Sequence, residues 1–300
     1  MTPYLFLLIA SCANTPGETA ETGETTDAND WTVQRSTTDG WVAVAAGFQH
    51  TCGLRQDKTI QCWGREGDFF DEDPLSPPAG EWDLLRSNQG YSCAMNDSGI
   101  VDCWGDNEFG KAKPPIENFA YLGVGYGHAC GIRTDDMSAA CWGWAVQDYP
   151  PPPGSYLAIE VGYHFTISLS TDGTLYGWGF DHEGQASTPS GDYTMITAGG
   201  EHACAVNSEQ STVCWGSNDY GQSEPPLTQF TEIDAGGNHT CGLESSGEIH
   251  CWGDNYYGQS SPPSGEFISI SAGGAYNCAV DNESFIYCWG WNSFGEASPP

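Results

Sequence analysis

Residues 233–263 read Ile233-Asp234-Ala235-Gly236-Gly237-Asn238-His239-Thr240-Cys241-Gly242-Leu243, turn at Glu244 to Gly247, and return as Glu248-Ile249-His250-Cys251-Trp252-Gly253-Asp254-Asn255-Tyr256-Tyr257-Gly258-Gln259 before Pro262-Pro263. The Trp-Gly dipeptide of this stretch recurs at Trp63, Trp104, Trp142, Trp178, Trp215, Trp252 and Trp289, at intervals of 41, 38, 36, 37, 37 and 37 residues. A fixed period of this length marks a repeat architecture, and seven units fill residues 41–300. Each unit reads as short strands: an alternating approach such as Phe267-Ile268-Ser269-Ile270-Ser271-Ala272, a strand around Cys278, a polar turn, and a return into Trp289-Gly290. One unit cannot cover both faces of its own sheet. Seven units set radially cover one another and leave only short edges. The expected fold is all-β, a seven-bladed β-propeller built from seven repeats of about 37 residues. A linear solenoid is the competing architecture, and it would need atypical capping units at both ends, which these repeats lack.

The composition agrees with that architecture. Gly 39 and Pro 18 in 300 residues punctuate the chain too densely for long helices, so bundles and coiled coils are excluded. Eight Lys and Arg stand against 40 Asp and Glu, a formal net charge of −32. The last basic residue is Arg133, and 21 acidic side chains follow it. Nucleic-acid affinity comes mainly from cations that neutralise phosphates, so no nucleic-acid partner is expected, and anionic lipid headgroups would be repelled in the same way.

The pattern Ala-Gly-Gly-x-His, a turn, then Trp-Gly-x-Asn-x-Tyr-Gly-Gln resembles the repeat of the regulator of chromosome condensation family. Ala198-Gly199-Gly200-Glu201-His202 with Trp215-Gly216-Ser217-Asn218-Asp219-Tyr220-Gly221-Gln222 carries it in full, as does the unit quoted above. The resemblance implies the propeller. For function it implies a range: nucleotide-exchange factors, secreted inhibitors of β-lactamase and bacterial surface proteins share these repeats.

The N-terminus points to export. An apolar run from Pro3 to Ala10, too short to span a bilayer, leads into Leu8-Ile9-Ala10-Ser11-Cys12. This resembles a bacterial lipoprotein lipobox, which implies cleavage before Cys12 and lipidation of it, although no Lys or Arg precedes the run. A generic cleaved signal is the alternative. Residues 13–40 are rich in Thr, Glu and Gly, offer nothing to bury, and read as a disordered acidic tether reaching about 25–30 Å. The expected organisation is a signal peptide with lipobox at 1–12, the tether at 13–40 and the propeller at 41–300.

The other twelve cysteines fall as Cys52/Cys62, Cys93/Cys103, Cys130/Cys141, Cys204/Cys214, Cys241/Cys251 and Cys278/Cys288. Residues ten apart around a central turn lie opposite each other on antiparallel strands, at a separation that suits a disulfide. The fourth unit has Thr166 or Ile167 at the first position and Gly177 at the second, so both members vanish together. Zinc would compete for the recurrent His-x-Cys, but no unit offers a Cys-x-x-Cys knuckle, and no metal or cofactor is expected.

The residue two before the first cysteine is His50, Tyr91, His128, His202, His239 or Tyr276, with His164 placed similarly in the fourth unit. Recurrence in every blade points to structural hydrogen bonds rather than to catalysis, and the tryptophans are expected to fill the space between sheets. No nucleophile elbow, phosphate loop or His-Glu-x-x-His stands in the chain, and the Asp106-Asn107 and Asp254-Asn255 pairs fail the calcium-loop spacing. No enzyme activity is expected.

The loops after each Trp-Gly depart most from the repeat at Arg65 to Asp73, which holds Phe69 and Phe70, and at Trp144 to Tyr149, which precedes four prolines. Departures from a regular repeat are where a specific site belongs, so Phe69, Phe70, Trp144 and Tyr149 are the candidate ligand-binding residues. Aromatic side chains among acids favour a cationic or sugar-like ligand. The expected function is non-catalytic recognition of a protein or glycan by a monomeric propeller, secreted or held at the bacterial cell envelope by its lipid anchor. Guanine-nucleotide exchange on a small GTPase, implied only by the resemblance, and inhibition of a secreted enzyme are the alternatives.

Overall fold

The computed structural model describes residues 40–65 and 73–300; Cys12, the tether through residue 39, Phe69 and Phe70 lie outside the described residues. Among the described residues, seven antiparallel sheets of three consecutive strands follow one another along the chain. Blade 1 is β1 (Trp41–Ala46), β2 (His50–Arg55) and β3 (Ile60–Gly64), and blade 2 is β4 (Leu84–Asn88), β5 (Tyr91–Met95) and β6 (Val101–Gly105). Blade 3 is β7 (Phe119–Val124), β8 (His128–Arg133) and β9 (Ala139–Gly143), and blade 4 is β10 (Tyr156–Val161), β11 (Phe165–Ser170) and β12 (Leu175–Gly179). Blade 5 comprises β13 (Tyr193–Ala198), β14 (His202–Asn207) and β15 (Thr212–Gly216), and blade 6 comprises β16 (Glu232–Ala235), β17 (His239–Leu243) and β18 (Ile249–Gly253). Blade 7 is β19 (Phe267–Ala272), β20 (Tyr276–Asp281) and β21 (Ile286–Gly290). The seven expected blades form, and the first strands of successive blades are neighbours all the way round, so they line the ring axis. Among the described residues no helix is long and apolar enough to cross a membrane.

Each letter of the repeat has a physical task. The loop asparagine accepts the backbone N–H five residues on: Asn218 Oδ1 from Ser223 N at 3.1 Å, Asn255 Oδ1 from Ser260 N at 3.0 Å, Asn292 Oδ1 from Ala297 N at 2.9 Å. The glutamine turns its Oε1 back on the N–H two residues earlier, as Gln222 does to Tyr220 N at 2.9 Å and Gln259 to Tyr257 N at 2.8 Å. Its backbone carbonyl then accepts the indole N–H of the next blade: Trp215 Nε1 to Gln185 O at 3.0 Å, Trp252 Nε1 to Gln222 O at 2.9 Å, Trp289 Nε1 to Gln259 O at 3.0 Å. Lys111 serves Trp142 in the same way at 2.9 Å, and Pro74 serves Trp104 at 3.0 Å. At the seam, Trp63 Nε1 donates to Glu296 O at 3.0 Å, so blade 1 is clasped to blade 7 and the ring closes without exchanging a strand.

A second joint runs deeper. His50 Nε2 meets Ser92 Oγ at 2.8 Å, His128 Nε2 meets Thr166 Oγ1 at 2.7 Å, His202 Nε2 meets Thr240 Oγ1 at 2.8 Å, and His239 Nε2 meets Asn277 Oδ1 at 2.7 Å. Asn277 Nδ2 donates to Gln259 O at 2.8 Å, which leaves Oδ1 for His239 and fixes that imidazole as an Nε2–H donor. Tyr276 closes the ring by donating to His50 O at 2.7 Å. Tyr276 also meets the Thr51 hydroxyl at 2.7 Å, whereas at the other two joints without histidine the partner has no hydroxyl: Tyr91 faces a blade with Ala129, and Phe165 packs with Ala203 in one apolar cluster. Burial holds His50, His128 and His239 at about 4 and His202 at about 3.

This register corrects one sequence expectation. Phe165 pairs with Gly179 as His50 pairs with Gly64, so Phe165, not His164, holds the joint position in blade 4. Without the cysteine landmark the unit aligns one residue early, and a shift of one residue moves a side chain to the other face of a strand.

Six disulfides join the expected pairs, Cys52–Cys62, Cys93–Cys103, Cys130–Cys141, Cys204–Cys214, Cys241–Cys251 and Cys278–Cys288, with Cα–Cα separations of 4.0–4.1 Å. In blade 4 Ile167 faces Gly177, and a Cβ on Gly177 would lie 2.1 Å from the Ala186 carbonyl oxygen. The loop of that blade takes the room a second cysteine would need. Gly53 shows the same economy of space, since a Cβ there would lie 2.5 Å from the Trp41 ring.

Two measurements check these joints. Alkylation of the denatured, unreduced chain should leave the twelve propeller cysteines unlabelled, and C204S/C214S should lower stability by about 2–3 kcal/mol on the loop-closure argument. H202A strands the Thr240 hydroxyl and should cost about 1–3 kcal/mol, while H202F/T240A, which copies Phe165 and Ala203, should regain most of it. His202 binds its proton at 6.5 in the unfolded chain and at about 3 in the fold, so its contribution is complete above 6.5 and fades as the pH falls. H202F/T240A should therefore gain on the wild type in denaturant melts as the pH drops through that window.

Candidate functional site at the junction of blades 3 and 4

The turns between first and second strands and the loops after Trp-Gly share one face of the ring, because the second and third strands of a blade are antiparallel. The residue after each Trp-Gly is pinned there by its own backbone: Arg65 N donates to Gln49 O at 2.8 Å, Trp144 N to Gly127 O at 2.8 Å, Phe180 N to His164 O at 2.9 Å and Trp291 N to Ala275 O at 2.9 Å. Its side chain is thereby presented at a fixed place on this loop face in every blade.

In blade 3 the loop reads Trp144-Ala145-Val146-Gln147-Asp148-Tyr149 and lacks the capping asparagine, the glycine and the glutamine. It turns on itself instead, with Asp148 N and Tyr149 N both donating to Ala145 O at 3.0 and 3.1 Å. No carbonyl of this loop receives the next indole, that of Trp178. Among the described residues, Trp178 is the one repeat tryptophan without the clasp. It lines a small cleft with His128, Trp144, Tyr149, His164 and Thr166.

Over that cleft the aromatic side chains run together. Trp144 stacks on Phe180 with ring centroids 5.6 Å apart and planes 12° from parallel, and Tyr149 packs on Phe180 at 5.9 Å. His164, displaced from the joint, fills the angle between Trp144 at 4.9 Å, Tyr126 at 5.4 Å and Phe180 at 5.6 Å. Tyr163 extends the group toward the axis, 5.3 Å from Tyr126. Tyr126 and Tyr149 remain 37% and 41% exposed, enough to meet a ligand. Burial lowers the pKa of His164 against the opposing charge of Glu201, and it pushes the Tyr163 hydroxyl up to about 12. The structure thus brings Trp144 and Tyr149 together and adds Phe180, His164, Tyr126 and Tyr163 to them.

The ring axis holds a second polar group. Arg86 on β4, Tyr121 on β7, Glu160 on β10, and Glu232 and Asp234 on β16 all lie on axis-lining strands. The Tyr121 hydroxyl donates to Glu160 Oε1 at 2.6 Å, Ala272 N donates to Asp234 Oδ2 at 2.8 Å, and Ile270 N donates to Glu232 Oε1 at 3.4 Å. Burial pushes Glu160 up to about 7 against the pull of Arg86 and Tyr121. Glu232 reaches about 7 by burial and by the neighbouring Asp234 charge, and burial likewise raises Asp234. On the opposite face, Glu244, Glu248 and His250 gather at the blade 6 hairpin, with His250 Nε2 2.7 Å from Glu244 Oε1.

A sequence profile of the Regulator of chromosome condensation (RCC1) repeat matches residues 41–69, 157–185, 196–222 and 230–259. The fold is a seven-bladed β-propeller of RCC1-type blades, with paired cysteines. Its fold is similar to the entire ectodomain of the Physcomitrella patens receptor kinase CR4, at 26% identity and a TM-score of 0.72 over 88% of this chain and 78% of that one. It is also similar to the CRINKLY WD40 ectodomain of the Arabidopsis thaliana receptor kinase ACR4, at 23% identity and a TM-score of 0.71 over 87% and 99%. Prp20p from Saccharomyces cerevisiae, whose structure was described with its binding to Gsp1p and histones, is similar at 17% identity and a TM-score of 0.52 over 86% and 73%.

Within this propeller, sequence reading finds Trp144 and Tyr149 because they break the repeat. It misses His164, which the misaligned fourth unit hides, and Tyr126 and Tyr163, which sit in the glycine turns. The axial carboxylates had a signal of their own: with the first strands aligned, Glu160 and Asp234 stand where other blades carry Ala45, Gly123, Thr197 and Ser271. Glu160 and Glu232 keep their protons to about 7 in the fold and lose them from 4.5 when unfolded, so their contribution is present below that window and is lost as the pH rises through it. E160Q and E232Q should each raise stability at pH 8 by about 1–3 kcal/mol, with the gain gone at pH 4, as read by denaturant melts.

Proposed function

We propose that this chain is an exported, non-catalytic recognition propeller that binds a protein ligand through its loop face, at the junction of blades 3 and 4. The observation that carries the reading is the broken clasp: the blade 3 loop gives up the carbonyl that every other described repeat tryptophan receives, and spends its residues on an aromatic surface instead. Aromatic anchors over a small cleft are the usual centre of a protein interface. The six disulfides favour an oxidising compartment. The likeness to receptor ectodomains supports an extracellular setting. In this reading Cys12 carries a lipid anchor, residues 13–40 form the tether, and the folded body at 41–300 is monomeric and avoids nucleic acid because of its charge.

Exchange on a small GTPase is the weaker reading, since the likeness to Prp20p concerns the fold alone and paired cysteines do not suit a cytosolic partner. Inhibition of a secreted enzyme is a special case of protein binding. The test is to pan a random-peptide display library and probe a glycan array with the intact, oxidised chain, then repeat both with W144A/Y149A and with E209A on the opposite face. Peptides that bind the wild type and the E209A variant but not W144A/Y149A are the expected result. Binders that ignore the loop-face change would overturn the site, and glycans lost with Trp144 in place of peptides would change the ligand class.

A further inference from the structure

Several cations of this chain lie on its aromatic rings. Arg55 sits 4.3 Å from the Trp41 ring, Arg65 is 4.6 Å from the Phe294 ring, and Lys111 is 5.1 Å from the Tyr91 ring. Arg65 is the instructive one, because it holds the position after Trp-Gly in blade 1 and stacks on the loop of the preceding blade, where Trp291 and Phe294 meet at 5.5 Å. At the junction of blades 3 and 4 the same position is Phe180, stacked on Trp144 of the preceding loop. The aromatic half of the arrangement is repeated there and the cation is not.

No later residue of the chain can supply it, since Arg133 is the last basic side chain. Arg133 itself is committed near the opposite face, to Glu117 Oε2 at 2.6 Å and Ser138 Oγ at 2.9 Å. Carboxylates stand around the platform instead. Asp148 precedes Tyr149 and is exposed, and Glu201 is exposed and close enough for its charge to act on both His164 and Tyr163. A ring face attracts a cation through its quadrupole, and a planar guanidinium can lie on an indole while its edge meets a carboxylate. A neutral sugar could stack on the rings and donate hydroxyls to the carboxylates, but it would leave their charge unneutralised.

We propose that the Trp144–Phe180 platform receives an arginine side chain from a protein partner, supplying in trans the cation that Arg65 supplies within the chain at the blade 7–1 seam. The proposal rests on the reading of the loop face as the recognition surface, and it assigns that surface a ligand chemistry.

The test uses the intact, oxidised chain and an acetylated, amidated hexa-arginine peptide, with a neutral chito-oligosaccharide beside it, by isothermal titration calorimetry at about 150 mM salt, where long-range attraction to an acidic chain is screened. Hexa-arginine should bind saturably, and W144A and F180A should each weaken it about five- to thirtyfold. D148N/E201Q should weaken it as well. E209Q/E248Q, which removes the same charge from the opposite face, should change it less than about twofold. Equal losses from the two double variants would mark attraction to bulk charge and overturn the proposal, as would hexa-arginine binding that ignores both aromatic changes. Because Asp148 and Glu201 are exposed, D148N/E201Q keeps the test decisive if W144A fails to fold. Trp144-dependent binding of the sugar with no binding of hexa-arginine would reject the cation and keep the recognition surface. Ligands that engage only the opposite face would reject both.

Discussion

The fold depends on the contact between one blade and the next. A three-stranded sheet of four- to six-residue strands has two faces to bury and no second layer of its own, so it persists only with a neighbour on each side. Two side-chain devices set that contact: an indole N–H that reaches a loop carbonyl of the preceding blade, and an imidazole that reaches a hydroxyl or amide of the following one. Both are directional, so they fix the angle and height of each blade in a way that apolar packing alone would not. At the seam, Trp63 with Glu296 and Tyr276 with His50 do for blades 1 and 7 what chain connectivity and the same bonds do elsewhere. The disulfides act on another level, holding the second and third strands of a blade together and leaving the joints between blades to hydrogen bonds and packing.

Because the joint is so regular, its failures are informative. Blade 4 has no disulfide, its tryptophan has no clasp, and its joint to blade 5 is the apolar pair Phe165 and Ala203. The first two go with the altered loops on either side of it. The blade 3 loop withdraws its carbonyl and folds on Ala145, while the blade 4 loop lays Ala186 over Gly177 where a cysteine would stand. What is lost in cross-links is partly offset by packing, since Phe165, Ile167, Leu169 and Leu175 pack with Tyr193, Ile196, Ala203 and Ala205 in one buried cluster. The aromatic surface of the loop face is built from the residues those loops release.

The fold was legible to the degree that the repeat is literal. Trp-Gly spacing counts the blades, and the paired loss of cysteines at Ile167 and Gly177 indicates that each disulfide is internal to a blade. The recurrent histidines read as structural, and their partners Ser92, Thr166, Thr240 and Asn277 were in plain view one residue before the next cysteine position. Legibility stops at blade 4, where the missing cysteine removes the ruler and His164 slides into the wrong column. It also stops at the axis. Arg86, Glu160, Glu232 and Asp234 are far apart in the chain, and only ring closure converts alternate positions on separate strands into one group of partly buried charges.

Sequence by itself therefore determined the number of blades, the disulfide partners, the residues that make each loop turn and the acidity of everything after Arg133, because each is a local property repeated at a fixed period. Tertiary structure decided which side chains meet across a joint: Trp144 with Phe180, His164 with Tyr126, Trp63 with Glu296. The physical reason is that hydrogen bonds and ring stacking act over a few ångströms, and the distances between blades are set by the closing of the whole ring, which no single repeat encodes.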